Sequence, residues 1–151
     1  MGHTRYREEV LAPFTIYSEP SRAVIIPAGS YEYQTYDISL GTGNQREFST
    51  DIRIEAGEFY NGDSTGAFTS FNWNQSRNFA MSINYDWNDV SLPQGDFTAR
   101  LTSVNTQVAF TTNLYWISLL QYDNISENMG LNTRIQWIPE AGQEALIVFN
   151  Y

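Results

Sequence analysis

The pattern of hydrophobic and polar positions is clearest from Phe79 to Trp87 (FAMSINYDW), where large apolar and small polar residues alternate at every step. A period of two is that of a β-strand, in which successive side chains point to opposite faces. One face of this segment is therefore apolar and carries aromatic residues at both ends. A transmembrane strand with its outer face toward lipid has the same pattern.

From Tyr31 onward, the chain divides into strand-sized segments separated by turn residues, which predicts a meander of antiparallel hairpins. The eight predicted strands are Tyr31–Leu40, Arg46–Glu58, Ser64–Asn74, Phe79–Trp87, Phe97–Thr102, Gln107–Tyr122, Met129–Ile138 and Glu144–Tyr151. In Gln107–Tyr122 the odd-numbered and the even-numbered positions both carry apolar residues, so the pattern does not decide which face of this strand points outward. The favoured outer set is Val108, Phe110, Leu114, Trp116, Leu120 and Tyr122. We interpret residues 1–30 as a peripheral lead-in with a short extended piece at Phe14–Tyr17, and residues 31–151 as the barrel domain.

Composition favours an all-β fold and excludes several classes of function. Aromatic residues make up 15% of the chain, and no helical periodicity of useful length accommodates them. The absence of cysteine excludes disulfides, thiolate metal sites and cysteine nucleophiles. The net charge is −9 and all eight basic residues are arginine, so nucleic acid is not an expected partner.

Candidate chemistry is sparse. The only histidine, His3, lies in the first residues of the chain, and acidic pairs such as Asp51 and Glu55 are expected to be solvated or paired with arginine. We therefore predict no catalytic residue, no cofactor, no metal site and no enzymatic activity.

Two further patterns predict an eight-stranded antiparallel up-and-down transmembrane β-barrel. Aromatic residues fall at both ends of the predicted strands, as two interfacial girdles: Trp73, Phe79 and Trp137 at one end, and Trp87, Phe97, Tyr122 and Tyr151 at the other. The opposite faces carry a predicted lumen charge network of Arg53, Arg100, Arg134, Asp51, Glu55 and Asp86. A dry sandwich core would not accept these charges unpaired, whereas a polar lumen would.

Two alternatives stay open because alternation alone does not separate inside from outside. One is a soluble lipocalin-like barrel that binds a small apolar ligand in an apolar interior. The other is that these segments are the last eight strands of a larger transport barrel.

Several motifs resemble a known family: Asn88–Phe97, Leu120–Asn124, Asn132–Trp137, Ile26–Tyr31 and Gly57–Gly62. They are similar to the C-terminal region of a bacterial family of unknown function, and the similarity runs from about Pro13 to the C-terminus. Its longer members resemble envelope proteins with an N-terminal family-9-like carbohydrate-binding domain followed by an outer-membrane β-barrel region. The carbohydrate-binding part has no counterpart here, so the resemblance implies a location rather than a sugar specificity.

These observations together predict an integral protein of the bacterial outer membrane that acts as a membrane anchor or envelope scaffold. Its expected partners are a lipid bilayer or detergent, and the outer-membrane assembly machinery through the C-terminal strand. We expect a monomer, closed by pairing of Tyr31–Leu40 with Glu144–Tyr151 and with both termini on one side. The charge network, padded by Asn72, Asn84, Asn132 and Gln136, is expected to plug the narrow lumen.

Overall fold

The computed structural model describes residues 1–19 and 21–151, and over these residues the fold consists of β-strands with no helix. The eleven strands in this described part are β1 (Gly2–Val10), β2 (Phe14–Glu19), β3 (Arg22–Ile26), β4 (Gly29–Gly41), β5 (Phe48–Phe59), β6 (Gly62–Ser76), β7 (Phe79–Leu92), β8 (Gly95–Thr111), β9 (Leu114–Asp123), β10 (Asn128–Trp137) and β11 (Ala145–Asn150). All the strand pairs are antiparallel. The prediction of an all-β antiparallel fold is confirmed.

Nine of the strands form one sheet in the order β1-β4-β5-β6-β7-β8-β9-β10-β11, and β2 and β3 form a separate hairpin. The predicted closure is wrong, because within the described residues β11 pairs with β10 alone and β4 pairs with β1 and β5. The physical reason lies in the N-terminal segment: β1 occupies the edge of β4 along Gly29–Asp37, which closure needs to be free. The sheet is therefore open, with β1 and β11 at its edges.

The lead-in predicted over residues 1–30 is not peripheral. It contributes β1 to the large sheet, and its predicted extended piece, Phe14–Tyr17, is the first part of β2. Sequence reasoning missed β1 because its residues are mostly charged or polar and show no apolar alternation.

The eight segments predicted from Tyr31 onward correspond in number to β4–β11, but the boundary between the fifth and the sixth is misplaced, because β8 continues through the predicted break at 103–106. Gln107–Tyr122 is not a single strand: β8 ends at Thr111, a turn follows, and β9 begins at Leu114. In this turn the Asn113 N–H donates to the Thr111 hydroxyl at 3.2 Å. Five of the favoured outer residues do share a face, because a bulge between Ala109 and Thr111 keeps the two strands in phase: Val108, Leu114, Trp116, Leu120 and Tyr122.

The two ends of the sheet differ in their connections. One end, called here the hairpin end, carries the turns at 60–61, 93–94 and 124–127 and the end of β11. The opposite end, called the far end, carries the connections 42–47, 77–78, 112–113 and 138–144. Because eight antiparallel steps separate β1 from β11, both strands run toward the hairpin end. The prediction that both termini lie on one side is therefore wrong.

The hydrophobic core lies at the hairpin end, between the β2–β3 hairpin and the sheet. The hairpin contributes Tyr17, Val24 and Ile26, and the sheet contributes Val10, Val90 and Leu92. Val24 and Ile26 are both 0% exposed. An isolated two-stranded hairpin is at best marginally stable, so we attribute the position of β2–β3 to this core.

Candidate functional site

One face of the large sheet is apolar and uncovered. It is called the apolar face and is identified by a row of cross-strand partners, Ile38, Ile54, Ala67 and Trp87. Exposed large hydrophobic side chains on it are Tyr36, Ile38, Leu40, Phe48, Ile52, Ile54, Ile83, Tyr85, Leu120, Tyr122, Met129, Ile135, Trp137, Ile147, Phe149 and Tyr151. Single exposed apolar residues are normal on a protein surface, but a contiguous face of this extent indicates an interaction surface.

The total accessible surface also shows that this face lacks a cover. It amounts to 10247 Å² for a chain of 17.3 kDa. A compact monomer of this mass is expected to expose about 7,800 Å². The excess of about 2,400 Å² is what an open sheet with one uncovered apolar face exposes.

The apolar residues form a band that runs obliquely across the strands. Cross-strand pairing places Tyr36 of β4 in the row of Asp89. It places Tyr151, which exchanges backbone hydrogen bonds of 2.8 and 2.9 Å with Leu131, in the row of Ile83. The hairpin-end edge of the band thus moves by six residues over seven strand steps. With about 3.4 Å per residue and about 4.8 Å between strands, the strands lean by about 30° from the normal to the band.

Six of the seven predicted girdle residues lie at the borders of this band. On the apolar face, Trp73, Phe79 and Trp137 lie toward the far end, and the rings of Trp73 and Phe79 meet at 5.1 Å. Phe48, the first residue of β5, stacks on Trp73 with ring centroids 5.8 Å apart, although it is not among the predicted girdle residues. Toward the hairpin end, the border carries Trp87, Tyr122 and Tyr151.

Phe97 is the exception, because it lies on the opposite face of the sheet. It pairs with Val90 and stacks on Tyr17 of the hairpin, with ring centroids 4.7 Å apart. Side chains along a strand alternate, so burial of Phe97 under the hairpin inverts the predicted facing of Phe97–Thr102, the first part of β8, whereas Val108 keeps its predicted outer face. Arg100 consequently lies on the apolar face as the partner of Trp87, and its predicted place in the charge network is wrong.

The other face, called the polar face, carries the remaining members of the predicted network. Asp51, Arg53 and Glu55 lie on β5, Asp86 on β7 and Arg134 on β10. No ion pair joins Arg53, Arg100 or Arg134 to a carboxylate in the described part of the chain, and all three are exposed. The predicted arginine–carboxylate plug is therefore not formed, because the open sheet leaves these groups accessible to water, which solvates them individually.

The amide residues expected to pad this network make local hydrogen bonds instead. Asn84 donates to the Ser103 hydroxyl at 3.2 Å, and Asn72 donates to the Ser70 hydroxyl at 3.4 Å. Asn132 donates to Asn150, and Gln136 donates to Glu144, the residue before β11. All four hydrogen bonds are local and do not span the polar face.

Several hollows open on the polar face. One of them, of about 440 Å³, lies beside the hairpin and is lined by Tyr6, Ile16, Tyr33, Thr35, Glu55, Phe59, Ser64, Asn88, Val90 and Phe97. A smaller polar hollow of about 170 Å³ adjoins it and shares Glu55, Ser64 and Asn88.

The polarity of both faces inverts near the hairpin end, and β7 shows the change. On its apolar face, Trp87 is followed by Asp89 and Ser91, which bond to Thr98 and Asp96 at 2.6 and 2.8 Å. On its polar face, polar residues give way to Val90 and Leu92, which are 6% and 5% exposed. The hairpin-end part of the sheet thus has an apolar inside and a polar outside, like a soluble protein, whereas the remainder has the reverse arrangement.

A cluster of tyrosines around Glu8 joins β1 to the hairpin end of the sheet. The Tyr60 hydroxyl donates to Glu8 Oε1 at 3.1 Å, and the Tyr33 hydroxyl donates to Glu8 Oε2 at 3.4 Å. Burial, with the Glu8 hydrogen bond adding to it, raises the pKa of Tyr60 to about 12. Tyr60 therefore keeps its proton, and its donor role, throughout the physiological range.

Within residues 1–19 and 21–151 there is neither a group of potential metal ligands nor a membrane-spanning helix. No group of three or more His, Asp or Glu side chains is arranged there to hold a metal ion. No helix in this part of the chain is long and apolar enough to cross a membrane.

Comparison with protein-family models, with curated proteins and with solved structures finds no match to this chain.

Proposed function

We propose that this chain forms part of the wall of an outer-membrane β-barrel and acts as a membrane anchor or envelope scaffold. In this proposal the apolar face meets lipid and the polar face lines an aqueous interior. The observation that carries it is the inversion of polarity along β7. Phe79–Trp87 presents an apolar side, whereas Asp89 and Ser91 on the same side are polar and lie over a packed core. A soluble lipocalin-like barrel needs an apolar interior along the whole strand, so the inversion favours the membrane barrel.

The dimensions of the apolar band fit this proposal. Phe79–Trp87 contains nine residues, and strands of about 9 to 11 residues cross the hydrocarbon core when tilted. The lean of about 30° deduced from the oblique band is close to the tilt of about 35 to 45° common in such barrels. Arg100, next to Trp87 at the border of the band, has the position of a side chain that extends from the border toward water.

The open edges favour a larger barrel over the eight-stranded barrel predicted from the sequence. β1 pairs only with Gly29–Asp37, so Ile38–Gly41 has no partner on that edge among the described residues, and neither does the outer edge of β11. β1 and β11 also run in the same direction, so direct closure requires a parallel pair. Unpaired backbone groups in hydrocarbon cost several kcal/mol each. We therefore propose that additional strands complete the barrel at both edges.

The connections indicate an orientation. Apart from the β1–β4 connection, which contains the β2–β3 hairpin, the connections at the hairpin end have two to four residues, whereas two far-end connections, 42–47 and 138–144, are longer. Outer-membrane barrels have short periplasmic turns and longer external loops. We propose that the hairpin end is periplasmic and that β11 and Tyr151 engage the outer-membrane assembly machinery. The β2–β3 hairpin covers part of the polar face there, which favours a scaffold over an open channel.

Site-specific labels can test the facing of β7, because the chain has no cysteine. Ile83→Cys, Asn84→Cys and Ser91→Cys are each labelled with a bimane and reconstituted into vesicles. We expect brominated lipid to quench the label at position 83, and aqueous iodide to quench the labels at positions 84 and 91. Asn84→Cys is the matched control, one residue away on the opposite face. Equal quenching by lipid at positions 83 and 84, or none at position 83, would contradict the proposal.

The mass of the detergent-solubilised protein tests the open edges separately. A species larger than one 17.3 kDa chain is expected if the edges recruit further strands. A stable monomer with slow amide hydrogen exchange along the outer edge of β11 would show that the strands close by themselves.

A further inference from the structure

The hollow of about 440 Å³ beside the hairpin has aromatic walls. Tyr6 and Tyr33 stack with ring centroids 5.0 Å apart, and Phe59 meets Tyr33 edge to face at 5.9 Å. Phe97 forms part of the wall toward the hairpin, where it stacks on Tyr17. Four strands of the sheet, β1, β4, β5 and β8, therefore supply the lining rings, and the hairpin packs against Phe97.

A single carboxylate faces these walls. Glu55 is the one charged residue among those that line the hollow, and it has neither a hydrogen bond nor an ion pair with another described side chain. The cross-strand partners of Glu55 are Asp37 and Gly66. Asn88, which lies two strands away in the same row, donates to Asp86 at 2.7 Å. Glu55 is half-buried, so its charge is only partly solvated and is available to a ligand.

We propose that this hollow binds an organic ammonium ion with an apolar body. The faces of tyrosine and phenylalanine rings attract cations electrostatically, and aromatic walls of this kind recognise quaternary ammonium groups. The Glu55 carboxylate supplies the opposite charge, and the net charge of −9 raises the local concentration of cations. An anion would meet Glu55 without compensation, and a neutral ligand would gain only from burial of its apolar surface.

Calorimetric titration of the full chain in non-ionic detergent tests this inference, with benzyltrimethylammonium as the probe. Benzyl alcohol and benzenesulfonate serve as the neutral and anionic comparisons. We expect the cation to bind at least tenfold more tightly than either. Equal affinity for the cation and the alcohol would overturn the inference, because the hollow would then act only as an apolar site.

Two substitutions that each remove one negative charge test where the cation binds. Glu55→Gln is expected to weaken binding of the cation at least tenfold, which corresponds to about 1.4 kcal/mol. Asp51→Asn removes one charge from the same face of the same strand but lies outside the hollow, and binding should change less than twofold. Tyr6→Leu keeps an apolar wall without a π face and should weaken binding about fivefold. Similar losses for Asp51→Asn and Glu55→Gln would show that only the overall negative charge attracts the probe.

The inference is independent of the membrane proposal. A protein that failed to insert into vesicles but bound the cation through Glu55 would contradict the proposed function alone. An inserted protein that did not discriminate between the three ligands would contradict the binding site alone.

Discussion

Replacement of Ile26 by alanine is expected to release the β2–β3 hairpin from the sheet while the large sheet stays folded. Ile26 is 0% exposed and packs in the core with Val90 and Leu92. Replacement of a fully buried isoleucine by alanine costs about 2 to 5 kcal/mol, through lost transfer free energy and the cavity left behind. β2 and β3 pair only with each other, so the cost falls on docking of the hairpin and not on the sheet ladder.

Tryptic cleavage after Arg22 measures this docking. In the docked state the Arg22 guanidinium donates to the Asp96 backbone carbonyl, which ties the cleavage site to the sheet. When opening is fast relative to cleavage, the rate follows the population of the open state. A loss of about 3 kcal/mol for Ile26→Ala therefore predicts cleavage about 100-fold faster than in the unsubstituted protein.

The neighbouring residue provides the control. Ile25 is 45% exposed and lies outside the core cluster, so Ile25→Ala should change the free energy of docking by no more than about 0.5 kcal/mol. Cleavage after Arg22 should then change by about twofold at most. If Ile25→Ala and Ile26→Ala accelerate cleavage equally, burial against the sheet does not hold the hairpin. The same conclusion would follow if neither substitution accelerated cleavage.

Three further predictions concern a turn, an ionisation and a surface charge. Gly95 has a φ of 139°, and an added Cβ would lie 3.2 Å from Val24, so Gly95→Ala should lower the free energy of unfolding by about 1 to 3 kcal/mol in a urea titration. Gly130, with no atom within 4 Å of such a Cβ, is the control and should tolerate alanine. The raised pKa of Tyr60, about 12, means that its contribution to stability is present below about pH 10 and is lost toward pH 12, so Tyr60→Phe should remove the last tyrosinate absorbance step at 295 nm. Arg134 is exposed without a carboxylate partner in the described chain, so Arg134→Ala should change the free energy of unfolding in a urea titration by less than about 0.5 kcal/mol, and a larger loss would indicate an ion pair of Arg134.

The sequence by itself determined the local elements. The period of two and the turn residues predicted eight antiparallel strands after Tyr31, because side-chain alternation and turn chemistry depend on residues close together in the chain. For β7 the same information determined which residues share a face, because apolar and polar residues alternate without interruption from Phe79 to Trp87. The far-end aromatics Trp73, Phe79 and Trp137 followed from the same parity.

Only the tertiary structure decided the edges of the sheet, the facing of β8 and the position of the core. β1 pairs with Gly29–Asp37 through backbone groups, which every non-proline residue carries, so its polar sequence contains no signal for that pairing. The facing of Phe97 depends on its stacking against Tyr17, 80 residues earlier in the chain, and the burial of Ile26 depends on Val90 and Leu92. Such contacts join segments that are distant in the chain, and a local hydrophobic pattern does not record which partner will cover an apolar side chain.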